Sequence, residues 1–124
     1  MHSDVVKQLA QATLGGHLPF PEIVGRLLAE GVECYRVDYV RREMVFYGAD
    51  GSVVAAPMAF ENLPLVASDF DAAALHAAIH DSQHQGQPFG RFSQRAVEAG
   101  VYGYYAFLRG KRVTYLGRQG DQHT

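Results

Sequence analysis

The chain has 124 residues, 48% of them hydrophobic, with a formal net charge of −2 and a pI near 6.3. That length suits one domain with a real apolar core, and charges of both signs interspersed along it argue against the basic stripe that a nucleic acid or an anionic membrane would require. The single cysteine, Cys34, rules out an intrachain disulfide. No apolar stretch approaches the length of a membrane span, and no basic region followed by an apolar run opens the chain, so a cytoplasmic protein without a signal peptide is expected.

The first expected element is a helix capped by Ser3 or Asp4, with Val5, Val6, Leu9, Ala10 and Thr13 recurring at helical spacing. A loop through Gly15-Gly16-His17-Leu18-Pro19-Phe20 follows. A second helix is expected to start at Pro21, where a missing N–H costs nothing. It runs to about Glu30 and turns Ile23, Val24, Leu27 and Leu28 inward. Gly31 is placed as a left-handed terminator, with Val32 folding back onto the helix. Tyr35, Val37 and Tyr39 alternate with Arg36 and Asp38, the period of a half-buried strand. Arg41-Arg42 is the expected turn and Met44 to Tyr47 the return strand. Asp50-Gly51 signals another turn, and Ser52 to Ala56 a third strand that Pro57 ends.

The same pattern then recurs. A constant shift of 69 takes Pro19-Phe20 to Pro88-Phe89, Arg26 to Arg95, Gly31-Val32 to Gly100-Val101, Tyr35 to Tyr104, Gly48 to Gly117 and Gly51 to Gly120. These are eight identities over residues 18–51, where background composition gives roughly two or three. Residues 2–51 are therefore unit one and residues 71–120 unit two. Residues 52–70 connect them, and Phe60, Leu63, Leu65 and Val66 are expected to pack on the core. In unit two Asp71 is the expected N-cap, Phe70 and Leu75 form a hydrophobic staple, and Leu75, Ala78 and Ile79 make the buried stripe. Tyr102 to Leu108 goes out, Arg109-Gly110 turns, and Lys111 to Leu116 returns.

Neither hairpin is stable alone. The expected fold is α+β: two tandem α-α-β-β repeats share one mostly antiparallel sheet, with helices on one face and a rough two-fold axis. The expected organisation is a single domain over residues 1–124.

The repeat also weighs the candidate chemistry. His76, His80 and His84 fall at i, i+4 and i+8 on one helical face, a spacing that suits zinc ligands. Their counterparts Lys7, Gln11 and Gly15 look solvated, so a polar helix face is the favoured reading. Cys34 stands where the repeat has Gly103, which argues against a required thiol. Tyr35 and Tyr104 are expected in the core with their hydroxyls at its edge. Tyr105 and Phe107 correspond to Arg36 and Asp38, on the opposite strand face. Unit two thus places aromatics where unit one places charge, and an exposed aromatic patch suggests a partner surface. The alternative is that the 57–70 connection covers it. A polar set of Asp38, Tyr47, Tyr115, Arg118 and His123 is the candidate for a small-molecule cleft between the units. In the wider set Arg36, Asp38, Arg112 and Arg118, with Asp121 and His123, Asp38 beside an arginine could bind a polar ligand, but solvated surface ion pairs are the favoured reading, and the basic hairpin tips fit solubility. There is no nucleophile elbow, phosphate-binding glycine loop, Cys-x-x-Cys pair or carboxylate dyad, so no cofactor is expected.

The stretch Ala99-Gly100-Val101-Tyr102-Gly103-Tyr104, with Gly110-Lys111-Arg112 and Tyr115-Leu116-Gly117-Arg118-Gln119-Gly120-Asp121-Gln122-His123, resembles a family of small bacterial proteins. The family is catalogued as domain of unknown function 1398, and a lambdoid-prophage member carries the label phage envelope protein. Gly31-Val32-Glu33-Cys34-Tyr35-Arg36-Val37-Asp38 and Tyr47-Gly48-Ala49-Asp50-Gly51 extend the likeness to unit one. The resemblance implies no established activity and a weak phage link. The leading functional expectation is a non-enzymatic binding or assembly module that forms a homo-oligomer through an exposed sheet face. Its rival is an enzyme or small-ligand binder with the polar cleft, and a metal site on the helix of residues 71–85 is a third reading.

Overall fold

Apolar residues at helical spacing open each unit. In the computed structural model, which describes residues 1–16 and 18–124, they form α1 (Ser3–Gly15) and α3 (Ala72–His84). His17, in the loop expected before the second helix, lies outside the described residues. Asp71 caps α3 as expected, accepting the Ala74 N–H at 3.0 Å. The expected cap of α1 is corrected, because Ser3 is already helical and His2 is the N-cap, with no side-chain bond to the helix. Glu30 holds His2 there, accepting its backbone N–H at 2.7 Å and lying 3.0 Å from its Nδ1. Val6, Leu9, Ala10 and Thr13 are buried, whereas Val5 is exposed.

The second helices are α2 (Phe20–Ala29) and α4 (Phe89–Glu98). α2 starts one residue earlier than expected, with Pro19 as N-cap and Pro21 inside the first turn, where the missing N–H is still tolerated. Ile23 and Leu27 are buried, but Leu28 is turned out and 42% exposed. Gly31 and Gly100 end these helices at φ 81° and 89°, donating to the carbonyls of Leu28 and Val97. Only glycine takes that conformation at little cost.

The strands are β1 (Val32–Asp38), β2 (Glu43–Gly48), β3 (Val53–Pro57), β4 (Val101–Phe107), β5 (Arg112–Gly117) and β6 (Gln122–His123). The shift of 69 superposes the bounds of α1, α2, β1 and β2 on those of α3, α4, β4 and β5. Over the described residues the chain is thus an α+β fold of four helices and one six-stranded, wholly antiparallel sheet in the order β3-β2-β1-β4-β5-β6. Arg36 pairs directly with its own counterpart Tyr105, so the rough two-fold axis passes between these two residues. The hairpin turns are wider than expected: residues 39–42 and 108–111 form them, with Arg42 and Lys111 at positive φ. Asp38 sets the first, its Oδ1 accepting the N–H groups of Val40 and Arg41 at 3.0 Å each.

All helices cover the face toward which Tyr35, Val37, Met44, Phe46, Tyr104, Ala106 and Tyr115 point, and these residues are buried. Tyr35 and Tyr104 are core residues, as expected. Their rings lie 6.5 Å apart at a steep angle, and the Tyr39 hydroxyl donates to Ser93 Oγ at 3.0 Å. Burial raises all of these phenols, and it pushes Tyr115 up to about 12. The connection runs on this same side. Phe60 lies against Tyr39 and Phe89, and the Ala67 and Asp71 N–H groups donate to the Val97 and Ala99 carbonyls. Leu63 is buried and Val66 packs against the core, but Leu65 points away and is 89% exposed.

Candidate interface on the open sheet face

Strand alternation sends the other half of the sheet's side chains away from the helices. Three rows result from the register. The central row runs Ala55, Val45, Arg36, Tyr105, Thr114 across β3, β2, β1, β4 and β5. On one side of it lie Val53, Tyr47, Cys34, Phe107 and Arg112, and on the other Pro57, Glu43, Asp38, Gly103 and Leu116. Val53 is 58% exposed and Phe107 37% exposed, while Val45, Tyr47, Tyr105, Thr114 and Leu116 are half-buried. The 57–70 connection does not cover Tyr105 and Phe107.

The middle of this face is asymmetric. On β4 the Tyr105 and Phe107 rings stack with centroids 5.9 Å apart and planes 13° from parallel. On β1 Arg36 forms an ion pair with Asp38 at 3.2 Å and sets its guanidinium 5.7 Å from the Tyr105 ring centre. Such a cation over a phenol ring is attractive. Asp38 is buried beneath Arg36 and the turn amides, so its charge is compensated locally and the face keeps little free negative potential at its centre. The Cys34 thiol is pushed up chiefly by burial, as expected of a packed rather than a reactive thiol. Its counterpart is glycine for a steric reason: a Cβ on Gly103 would lie 2.6 Å from the Val37 carbonyl oxygen.

The polar set does not converge. Asp38 and Tyr47 lie on the open face, whereas Tyr115 and His123 lie on the helix face with ring centres 6.3 Å apart. Arg118 is turned to the connection, donating to the Val66 carbonyl at 3.2 Å. A surface depression of about 490 Å³ beside Leu14, Phe60, Arg91 and Gln94 contains none of the five. His76, His80 and His84 are exposed along α3. The His80 and His84 ring centres are 4.3 Å apart, while His76 faces His123 at 6.3 Å. Among the described residues no group of three or more His, Cys, Asp or Glu side chains is placed to hold a metal ion.

Val45, Val53 and Leu116 also belong to the open face, and the period-two pattern that singles out Tyr105 and Phe107 assigns them too. Among the described residues no helix is long and apolar enough to cross a membrane. Comparison with protein-family models gives no match, and comparison with curated proteins gives none either.

Proposed function

We propose that this protein is a non-catalytic assembly module that associates with itself through the open face of its sheet. The observation that carries the reading is the stacked Tyr105–Phe107 pair at the centre of a face that also holds Val45, Tyr47, Val53 and Leu116. Contiguous apolar and aromatic surface of this kind marks interaction sites, and aromatics are enriched in interface cores. The polar cleft has less support, since its five residues are divided between two faces and the connection. The resemblance to the domain of unknown function 1398 family belongs to the same reading, because that family carries no established activity.

Size-exclusion chromatography with light scattering tests the reading at protein concentrations on the order of tens of micromolar. A dimer or larger species is expected, and Phe107→Asp should convert it to a monomer with an unchanged circular dichroism spectrum. A wild-type protein that stays strictly monomeric overturns it.

A further inference from the structure

The geometry points to one arrangement of that assembly: a two-fold dimer whose axis runs parallel to the central strands, so that β1 of each copy lies over β4 of the other. This rests on the self-association proposed above and goes further by fixing the partner and the register.

Shape limits the choices first. Neighbouring strands rotate by about 20–25° in a fixed hand, so the open face is a saddle with two raised and two lowered corners. Two copies crossed at right angles would touch along one diagonal and splay along the other. Two copies with nearly aligned strands keep an even gap, as in aligned sheet packing. A two-fold dimer with aligned strands has its axis either along the strands or across them.

Charge then separates these two. An axis across the strands brings Arg36 over Arg36 of the partner subunit, because Arg36 lies in the central row. It also sets the exposed Arg112 against the partner's Leu116, a mismatch that the other axis gives to Glu43 instead, so the Arg36 contact decides. An axis along the strands places Arg36 against the partner's Tyr105 and Arg112 against the partner's Tyr47, so both guanidinium groups meet phenols, which accept hydrogen bonds and attract cations. Cys34 then meets the partner's Phe107, an apolar contact.

The area is adequate. Five strands about 4.8 Å apart and five residues of about 3.4 Å each span about 400 Å² in projection. With the relief of the side chains, two such faces bury on the order of 1,000 Å², the lower limit for a specific interface.

Cross-linking tests the register. Val45 and Thr114 are repeat counterparts in the central row, on β2 and β5. They are separated within one chain by three strand spacings, about 14 Å, too far for an internal disulfide. In a Cys34→Ser background, Val45→Cys and Thr114→Cys proteins are mixed and oxidised. Disulfides between unlike chains, with few between like chains, are expected. Like-with-like cross-linking from a dimeric parent shows the axis across the strands and overturns the register while leaving self-association intact. Absence of any cross-link from a dimeric parent does the same. A monomeric wild-type protein overturns both.

Discussion

Tyr39 opens the turn after β1 in unit one and Ser93 lies in α4 of unit two, so their hydrogen bond ties one repeat to the other. Ser93 has no exposed surface and Tyr39 is 2% exposed, and the hydroxyls are 3.0 Å apart. Tyr39→Phe leaves the Ser93 hydroxyl buried without its donor, and Ser93→Ala leaves the Tyr39 hydroxyl buried without its acceptor. An orphaned buried group costs about 1–3 kcal/mol, and each single variant should lose that much. Tyr39→Phe/Ser93→Ala strands neither group, so its loss should fall below the sum of the singles by about 1 kcal/mol or more. The repeat supplies an apolar precedent, since the shift of 69 matches Tyr39 with Leu108 and Ser93 with Val24. Urea unfolding followed by circular dichroism, with the slope checked for constancy, measures all four corners of the cycle. Single variants within about 0.5 kcal/mol of wild type, or a strictly additive double variant, would refute the reasoning.

Gly103→Ala should cost about 2 kcal/mol or more, because its new Cβ meets a backbone oxygen of the neighbouring strand that cannot swing aside. Gly110→Ala meets its nearest atom at 3.5 Å and should shift a thermal melt little; similar melts for both variants would contradict this. The Asp81 carboxyl is held below its ordinary range chiefly by the hydrogen bond from Arg95. A lowered carboxyl stabilises the fold above its unfolded pKa and loses that contribution as pH falls through the folded value. Arg95→Gln should therefore flatten the acid side of the melting-temperature profile between about pH 5 and pH 3, and an unchanged slope would count against the pair. The buried phenols act at the other end of the scale. Tyr115 is pushed up to about 12, and Tyr35, Tyr39 and Tyr104 are raised as well. Below the unfolded value of about 10 their contribution is whole, and it is lost as pH rises beyond that. Phenolate absorbance from these four should appear together with loss of circular dichroism, and ionisation of all tyrosines in a folded protein would refute this.

Much of the fold was legible because the duplication states it twice. Gly31 and Gly100 each signal a helix end through a conformation other residues avoid, and Tyr35-Val37 and Tyr104-Ala106 each show the strand period. What stayed hidden depends on contacts distant in sequence. The His2–Glu30 contact displaces the expected cap by Ser3 or Asp4 from 28 residues away, and the direction of Leu65 follows from how the connection docks on Val97 and Ala99 rather than from its own apolarity. The candidate site was half legible. Period-two alternation assigns Tyr105 and Phe107 to the face opposite the core, but whether a loop covers that face depends on where the 57–70 connection runs. No local pattern states this. The polar set failed to converge because strand alternation sends Tyr115, the counterpart of Phe46, to the core face and Asp38 and Tyr47 to the open one.

The position of the asymmetry has a physical reason of its own. In a sheet built from two related hairpins, the pair on the two-fold axis sets a residue against its own counterpart. Identical units would place Arg against Arg or Tyr against Tyr, and like charges directly opposite on neighbouring strands are destabilising. Joining the units in one chain lets the two positions differ, and here they have become Arg36 and Tyr105, a pair that attracts. The neighbouring counterparts follow: Asp38 sits beside the arginine and compensates it, while Phe107 sits beside the tyrosine and stacks on it. The result is a face with a charged half and an aromatic half meeting at its centre. A copy turned about an axis along the strands lays each half on the other, so the divergence that relieves the internal pairing also makes the face complementary to itself.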